Sequence, residues 1–192
     1  MWIVLAYVCG SIPVGVLIGK LHGFDPRAVG SGNVGATNVA RAAGGGAAAA
    51  TFAGDLCKGL IPVLFGRAIG CLPPALAAVG FAAFAGSIMS VFLGFRGGRG
   101  VATSAGVWLG LAPVAFVVIL IVFVAALAAT RIASVGSLAA AVVLPPTVAA
   151  IHSPKPYILL AILMTAVVIF RHRANLERLL EGEEPRIGAP KG

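Results

Sequence analysis

The sequence predicts an all-α integral membrane protein with seven transmembrane helices, its N-terminus outside and its C-terminus in the cytoplasm. Three observations predict this. First, 59% of the 192 residues are apolar and 10% are charged, with a mean hydropathy of +1.04. A soluble chain of this length carries roughly 48 charged residues, whereas this one has 14 lysines and arginines and 6 acids, which excludes a soluble globular domain. Second, apolar runs long enough for a ~30 Å hydrocarbon core recur from end to end, so residues 1–192 read as a single polytopic membrane domain. Third, the basic residues fall between those runs asymmetrically, as the positive-inside rule demands.

The first run, Met1 to Gly19, has no basic residue before it and Lys20 after it. That order marks a helix entering from outside rather than a cleavable signal peptide. The second, from about Gly44 to Gly66, is interrupted by Asp55 and Lys58. Charge inside a membrane is costly, so these two are either functional or neutralise each other. Ala68 to Phe95 forms the third. Val101 to Thr130 would make one helix about 45 Å long, too long for a single span, whereas a split at Pro113 leaves a short first segment. Ile132 to Pro154 and Pro156 to Phe170 complete the set, and about 171–182 reads as the last helix continuing into the cytoplasm, with Gly182 as its stop. Parity decides the split. Seven crossings leave only Arg67 and Lys155 outside and put the other loop cations, Lys191 included, inside, whereas six divide them nearly evenly.

Alanine and glycine recur within the spans, where small side chains let helices approach. Cys9, Cys57 and Cys71 are single and scattered, without the spacing of a disulfide framework or a zinc site, and read as packing residues. A net charge of +8 in so apolar a chain points to anionic headgroups rather than to nucleic acid.

Three inside segments are more polar and glycine-rich than turns require. In Val29-Gly-Ser-Gly-Asn-Val-Gly-Ala-Thr-Asn-Val-Ala-Arg41, glycines permit positive φ and expose backbone N–H groups, and a helix starting near Thr37 would aim its positive end at the same spot. Gly30 and Gly35 have the GxxxxG spacing of a Walker A loop, but Ala36 stands where that loop needs lysine and no strand precedes it. Gly94-Phe-Arg-Gly-Gly-Arg-Gly-Val-Ala-Thr103 holds Arg96 and Arg99 around Gly97 and Gly98; their guanidinium forks suit phosphate. In Phe170-Arg-His-Arg-Ala-Asn-Leu-Glu-Arg-Leu-Leu-Glu181, His172 and Asn175 share a helix face. No GxSxG elbow, HExxH, metal-ligand cluster or carboxylate pair is visible, so no metal or cofactor is expected, and a protease, glycosidase or metalloenzyme is disfavoured. Anion-binding donors at a membrane interface suit a reaction that joins a phosphate-bearing polar substrate to a lipid-like one.

These residues resemble the bacterial acyl-phosphate:glycerol-3-phosphate acyltransferases, the PlsY family. The likeness runs from Gly10-Ser-Ile-Pro13 through Gly30 to Asn38 with Arg41, Asp55-Leu-Cys-Lys-Gly59 and Phe92 to Thr103, to Arg171-His-Arg-Ala-Asn175. It implies seven helices in the bacterial cytoplasmic (inner) membrane and a cytoplasm-facing site. It also implies acyl transfer from acyl phosphate to glycerol 3-phosphate, giving lysophosphatidic acid and phosphate, the first step of phospholipid synthesis. Arg41 and Arg99 are expected on phosphate groups, and Ser31 with the amides of Gly30, Gly32 and Asn33 on the acyl phosphate. Thr37, Asn38, Lys58, Arg96, Gly97 and Gly98 are expected as further substrate contacts. His172 would either take the proton or, with Asn175, position the alcohol while a phosphate oxygen takes it; the second is favoured. No obligate protein partner is expected. Ser87 replaces the family's usual histidine and Arg99 its usual lysine, which keeps a catalytically degenerate member as an alternative; a small transporter of a phosphorylated metabolite is another.

Overall fold

The computed structural model describes residues 1–187, so Lys191 lies outside the described residues. Among those residues there are nine α-helices, one 3₁₀ turn and no strand. The helices group into two units, Met1–Leu111 and a second beginning at Ala112.

The first unit holds α1 (Trp2–Ser11), α2 (Val14–Leu21), α3 (Ala36–Ala68), α4 (Pro73–Ile88), the 3₁₀ turn Val91–Leu93 and α5 (Val101–Leu111). Trp2–Leu21 is one apolar span of 20 residues, broken at Ile12 and Pro13, because proline has no N–H to donate and forces the residue before it into extended backbone (Ile12 ψ 119°). α3 begins at Ala36, earlier than the apolar run, and bends at Gly44 (φ 80°), a conformation that favours glycine.

Two helix pairs meet backbone to backbone. A side chain on Gly10 of α1 would strike the Ala83 carbonyl of α4, and one on Gly86 of α4 would strike the Tyr7 carbonyl of α1. The same reciprocity joins Gly59 of α3 to Thr103 of α5, and Gly106 of α5 to Leu56 of α3. Apolar packing between helices gains nothing over lipid contact, so such close approach is what binds them.

The second unit contains α6 (Pro113–Thr130), α7 (Ala133–Ala150), α8 (Lys155–Arg171) and α9 (Arg173–Leu180). Ala112 leaves helical geometry (φ −148°, ψ 82°) and Pro113 starts α6, so the long apolar run does divide there. Among the described residues, five helices are long and apolar enough to span a bilayer, or six if the bent pair α8 and α9 is one span, and α5, at 11 residues, is shorter than any of them. The expected continuation of the last span past Arg171 is not straight: α8 and α9 meet at 56°.

Wherever proline removes an N–H inside a helix, the carbonyl it frees needs a new donor, since lipid supplies none. Pro145 frees Ala141 O on α7, and the Thr165 hydroxyl of α8 donates to it at 2.7 Å. Pro62 frees Lys58 O on α3, and the Cys9 thiol of α1 lies 3.7 Å away as its weak donor. At the break after α1, the Ser90 hydroxyl donates to Ser11 O, and the Lys58 ammonium donates to Ile12 O at 3.0 Å. At the far end of α5, the Arg67 guanidinium donates to Gly110 O at 2.7 Å, satisfying a terminal carbonyl. Thr165→Val should therefore lower stability by about 0.6 to 1.7 kcal/mol, read as a shift in reversible unfolding in mixed micelles; an unchanged midpoint would mean Ala141 O does not depend on this hydroxyl.

Candidate active site

In the first unit, the glycine-rich loop between α2 and α3 is organised by Asn38, which is 1% exposed. Its Oδ1 accepts from the Ser31 amide at 2.9 Å and from the Ser31 hydroxyl at 3.2 Å. Its Nδ2 donates to Pro26 O at 2.8 Å and Val29 O at 3.0 Å. Both donors and both lone-pair directions of the side-chain amide are thus spent inside the protein. Asn38, expected as a substrate contact, instead shapes the loop. Gly30 (φ 56°) and Gly32 (φ 68°) adopt the left-handed backbone this requires, and a side chain on Gly30 would collide with Asn38 Oδ1.

The loop amides divide accordingly. Ser31 N–H is taken by Asn38, and Gly32 N–H donates to Val29 O at 3.0 Å, so the expectation that every amide from Gly30 to Asn33 serves an anion is corrected for these two: closing the turn uses them. Ser31 itself is exposed at the tip, while Thr37 and Arg41, one turn apart on α3, are half-buried. Arg27 is committed elsewhere. Its guanidinium holds the Asp25 carboxylate at 2.6 Å, and those hydrogen bonds bring the Asp25 pKa down to about 2.

The second glycine segment lies against this loop: a side chain on Gly98 would begin 3.4 Å from Asn33 Oδ1 and from Val34 Cγ2. Gly97 and Gly98 are non-helical, their N–H groups donating to Ile88 O (2.9 Å) and Ser87 O (3.0 Å) at the end of α4. Arg99, between them and α5, is half-buried, and Arg96 is exposed. Ser87 is buried and donates its hydroxyl to Phe84 O at 2.7 Å. Within this unit the structure thus brings Asn33 and Val34 beside Gly98, with half-buried arginines at the head of α3 and at the entry to α5. Lys58 is apart from them along α3, with Asp55 Oδ1 at 2.7 Å and Ile12 O at 3.0 Å from its ammonium.

The second unit holds His172 and Asn175. His172, 1% exposed, sits at the bend, where its N–H closes α8 onto Val168 O and Ile169 O and its carbonyl receives the first amides of α9. Its Nδ1 lies 2.8 Å from Val168 O, so the Nδ1–H donates to that carbonyl. Asn175 Nδ2 donates to Glu184, which also accepts from the Ser134 hydroxyl at 2.8 Å and Arg178 Nε at 2.7 Å. Asn175 Oδ1 is buried and has no hydrogen-bond partner among the described residues.

Glu184 is the residue that sequence reasoning missed. It reads as one solvated tail carboxylate among several, and only Gly182 (φ 75°), followed closely by Pro185, signals that the chain turns back. That return is fixed by Ile187 N–H donating to Arg131 O at 2.7 Å. No group of three His, Cys, Asp or Glu among the described residues is placed to hold a metal, and Cys9, Cys57 and Cys71 are free thiols.

Residues 1–182 match the family described as glycerol-3-phosphate acyltransferase. The chain is 46% identical over 185 residues to a glycerol-3-phosphate acyltransferase of Geobacter sulfurreducens, covering 96% of this chain and 95% of that protein. It is also similar to two crystal structures of PlsY (YgiH), described as an integral membrane glycerol 3-phosphate acyltransferase. The glycerol 3-phosphate form has 38% identity and a TM-score of 0.94, and the lysophosphatidic acid form 37% and 0.92. Each comparison covers 97% of this chain and 94% of the other.

Burial pushes the Glu184 carboxyl upward, but hydrogen bonds from Asn175, Ser134 and Arg178 outweigh it and hold the pKa below the ordinary carboxylate value. A depressed folded-state pKa contributes stability above the unfolded pKa that is lost as pH falls through the folded one. Acid unfolding in detergent should show this loss. Glu184→Gln should flatten it and cost about 1 kcal/mol at neutral pH, the pair with Arg178 being partly screened by solvent; an unaltered acid limb would rule out a contribution from this carboxylate.

Proposed function

Because the chain belongs to the glycerol-3-phosphate acyltransferase family and is a membrane enzyme of phospholipid synthesis, we propose that it takes its acyl group from an acyl phosphate. The glycerol 3-phosphate hydroxyl attacks the acyl carbon, the bond from that carbon to the phosphate oxygen breaks, and lysophosphatidic acid and inorganic phosphate leave. The observation that carries this reading is the meeting of the two glycine segments in the first unit, at Asn33 and Gly98, with Arg41 following one segment and Arg99 within the other. Acyl transfer from a phosphate leaving group needs neutralised oxygens more than a protein nucleophile, and guanidinium groups with short, side-chain-free backbone supply that.

Ser31, Arg41 and Arg99 serve the phosphate groups, with Gly30, Asn33, Thr37, Arg96 and Gly97 around them. His172 and Asn175 receive the alcohol: the unpartnered Asn175 Oδ1 is an acceptor suited to a substrate hydroxyl. The hydroxyl proton passes to a phosphate oxygen of the donor, whose second pKa, by analogy with phosphoserine, is about 6. Both units belong to one polytopic domain of the bacterial cytoplasmic membrane, crossing seven times with the N-terminus outside and the site facing the cytoplasm. The short α5 makes its crossing together with the non-helical residues before it. Of these residues Gly98 and Gly100 are buried, as non-helical backbone within a bilayer requires. The reaction requires no metal, cofactor, nucleic acid or obligate protein partner.

The test is purified protein in lipid with an acyl phosphate and glycerol 3-phosphate, following phosphate release and lysophosphatidic acid together; failure to turn over rejects the donor assignment. Arg41→Ala and Arg99→Ala should each lose a charge-assisted contact of about 1.5 to 3 kcal/mol, roughly 10- to 150-fold in kcat/KM, while Arg99→Lys is tolerated. Wild-type rates in both alanine variants would refute the arginine roles. His172→Gln should retain turnover with a raised KM for glycerol 3-phosphate, since glutamine hydrogen-bonds but is no base at neutral pH; lost turnover at unchanged KM would make His172 the base instead.

A further inference from the structure

Lys58 lies in an apolar helix, is 8% exposed, and its ammonium contacts Asp55 Oδ1 at 2.7 Å and Ile12 O at 3.0 Å. Were neutralisation its whole purpose, the i,i+3 pair within α3 would suffice. The second contact reaches across to the break between α1 and α2, where the Ile12 carbonyl has left the helical ladder and is held by the Val14 N–H at 3.0 Å and by this ammonium. We propose that Lys58 is a positioning residue: it holds the Ile12–Pro13 break, and through α2 that break sets where the loop from Pro26 to Val34 stands.

The path from the break to the loop is contiguous. α2 starts at Val14, directly after the break. Its Gly15 meets the Val34 carbonyl so closely that no side chain fits, and its Gly19 does the same at Phe24 O and at Pro26 Cδ, each 2.8 Å from where a Cβ would stand. α2 therefore touches both ends of the loop with backbone alone, leaving no flexible side chain to absorb a shift. Pro26 O in turn receives Asn38 Nδ2, whose Oδ1 fixes Ser31. On the reading of the loop given above, Lys58 then acts on substrate only through this chain.

The test is hydrogen exchange of the full-length protein in lipid nanodiscs, which needs no turnover. Asp55→Asn with Lys58→Met removes both charges together and so leaves no lone carboxylate in hydrocarbon. Amides 26–38 should exchange about tenfold faster than in the wild type, with α7 to α9 unchanged. Pro13→Ala, which lets the helix run on and so removes the break that Lys58 holds, should loosen the same amides with both charges intact, and it serves alone if the charge-free pair fails to insert. Kinetics with glycerol 3-phosphate and acyl phosphate should show KM rising more than kcat falls. Unchanged exchange at 26–38 in the variants overturns the proposal, and unchanged exchange with a raised KM identifies Lys58 as a direct substrate contact. A wild type inactive with acyl phosphate rejects the donor assignment, while the exchange result still decides this one.

Discussion

A carbonyl without a donor inside hydrocarbon is the constraint on which this structure depends, because water is not there to donate to it. Pro62 in α3 and Pro145 in α7 free such carbonyls, the break after α1 turns Ser11 O and Ile12 O away from the helix, and side chains from neighbouring elements reach all four: Cys9, Thr165, Ser90 and Lys58. These bonds do two things together. They remove a desolvation cost, and they specify which helix lies beside which, since a donor on the wrong face would leave its carbonyl bare. The lysine differs in carrying a charge, and Asp55 at 2.7 Å lets that charge remain in an apolar setting.

The same economy shapes the loop before α3. A glycine-rich segment in water would sample many conformations, and ordering it on substrate would weaken binding. Here Asn38 saturates its amide against Pro26, Val29 and Ser31, so the ordering is completed on folding. What the loop presents is then the exposed Ser31 tip, with Asn33 alongside Gly98. In the second unit, Glu184 plays the corresponding part, its carboxylate joining the start of α7 to α9 through Ser134, Asn175 and Arg178. With Nδ2 of Asn175 bound there, its orientation is set and Oδ1 is left as an acceptor. In both units a polar residue one might assign to substrate is, in whole or in part, holding its neighbour in place.

Much of this was legible in the sequence. Hydropathy and the positions of lysine and arginine indicated a helical membrane protein, and Pro113 marked the division of the long apolar run, because these signals are local: a proline or a charge costs the same wherever its helix lies. The glycine segments and their arginines were legible for the same reason, since their composition suits little other than close backbone approach and anions. Tertiary structure alone decided which polar side chains are consumed internally. Nothing in the run Gly30 to Asn38 tells that the asparagine faces inward and the serine outward, nor that Lys58 reaches Ile12, 46 residues away, nor that a tail glutamate turns back to α7. A hydrogen bond is directional and short-ranged, so its partner is chosen by which elements the fold places within about 3 Å of it, and the order of residues along the chain carries no record of that choice.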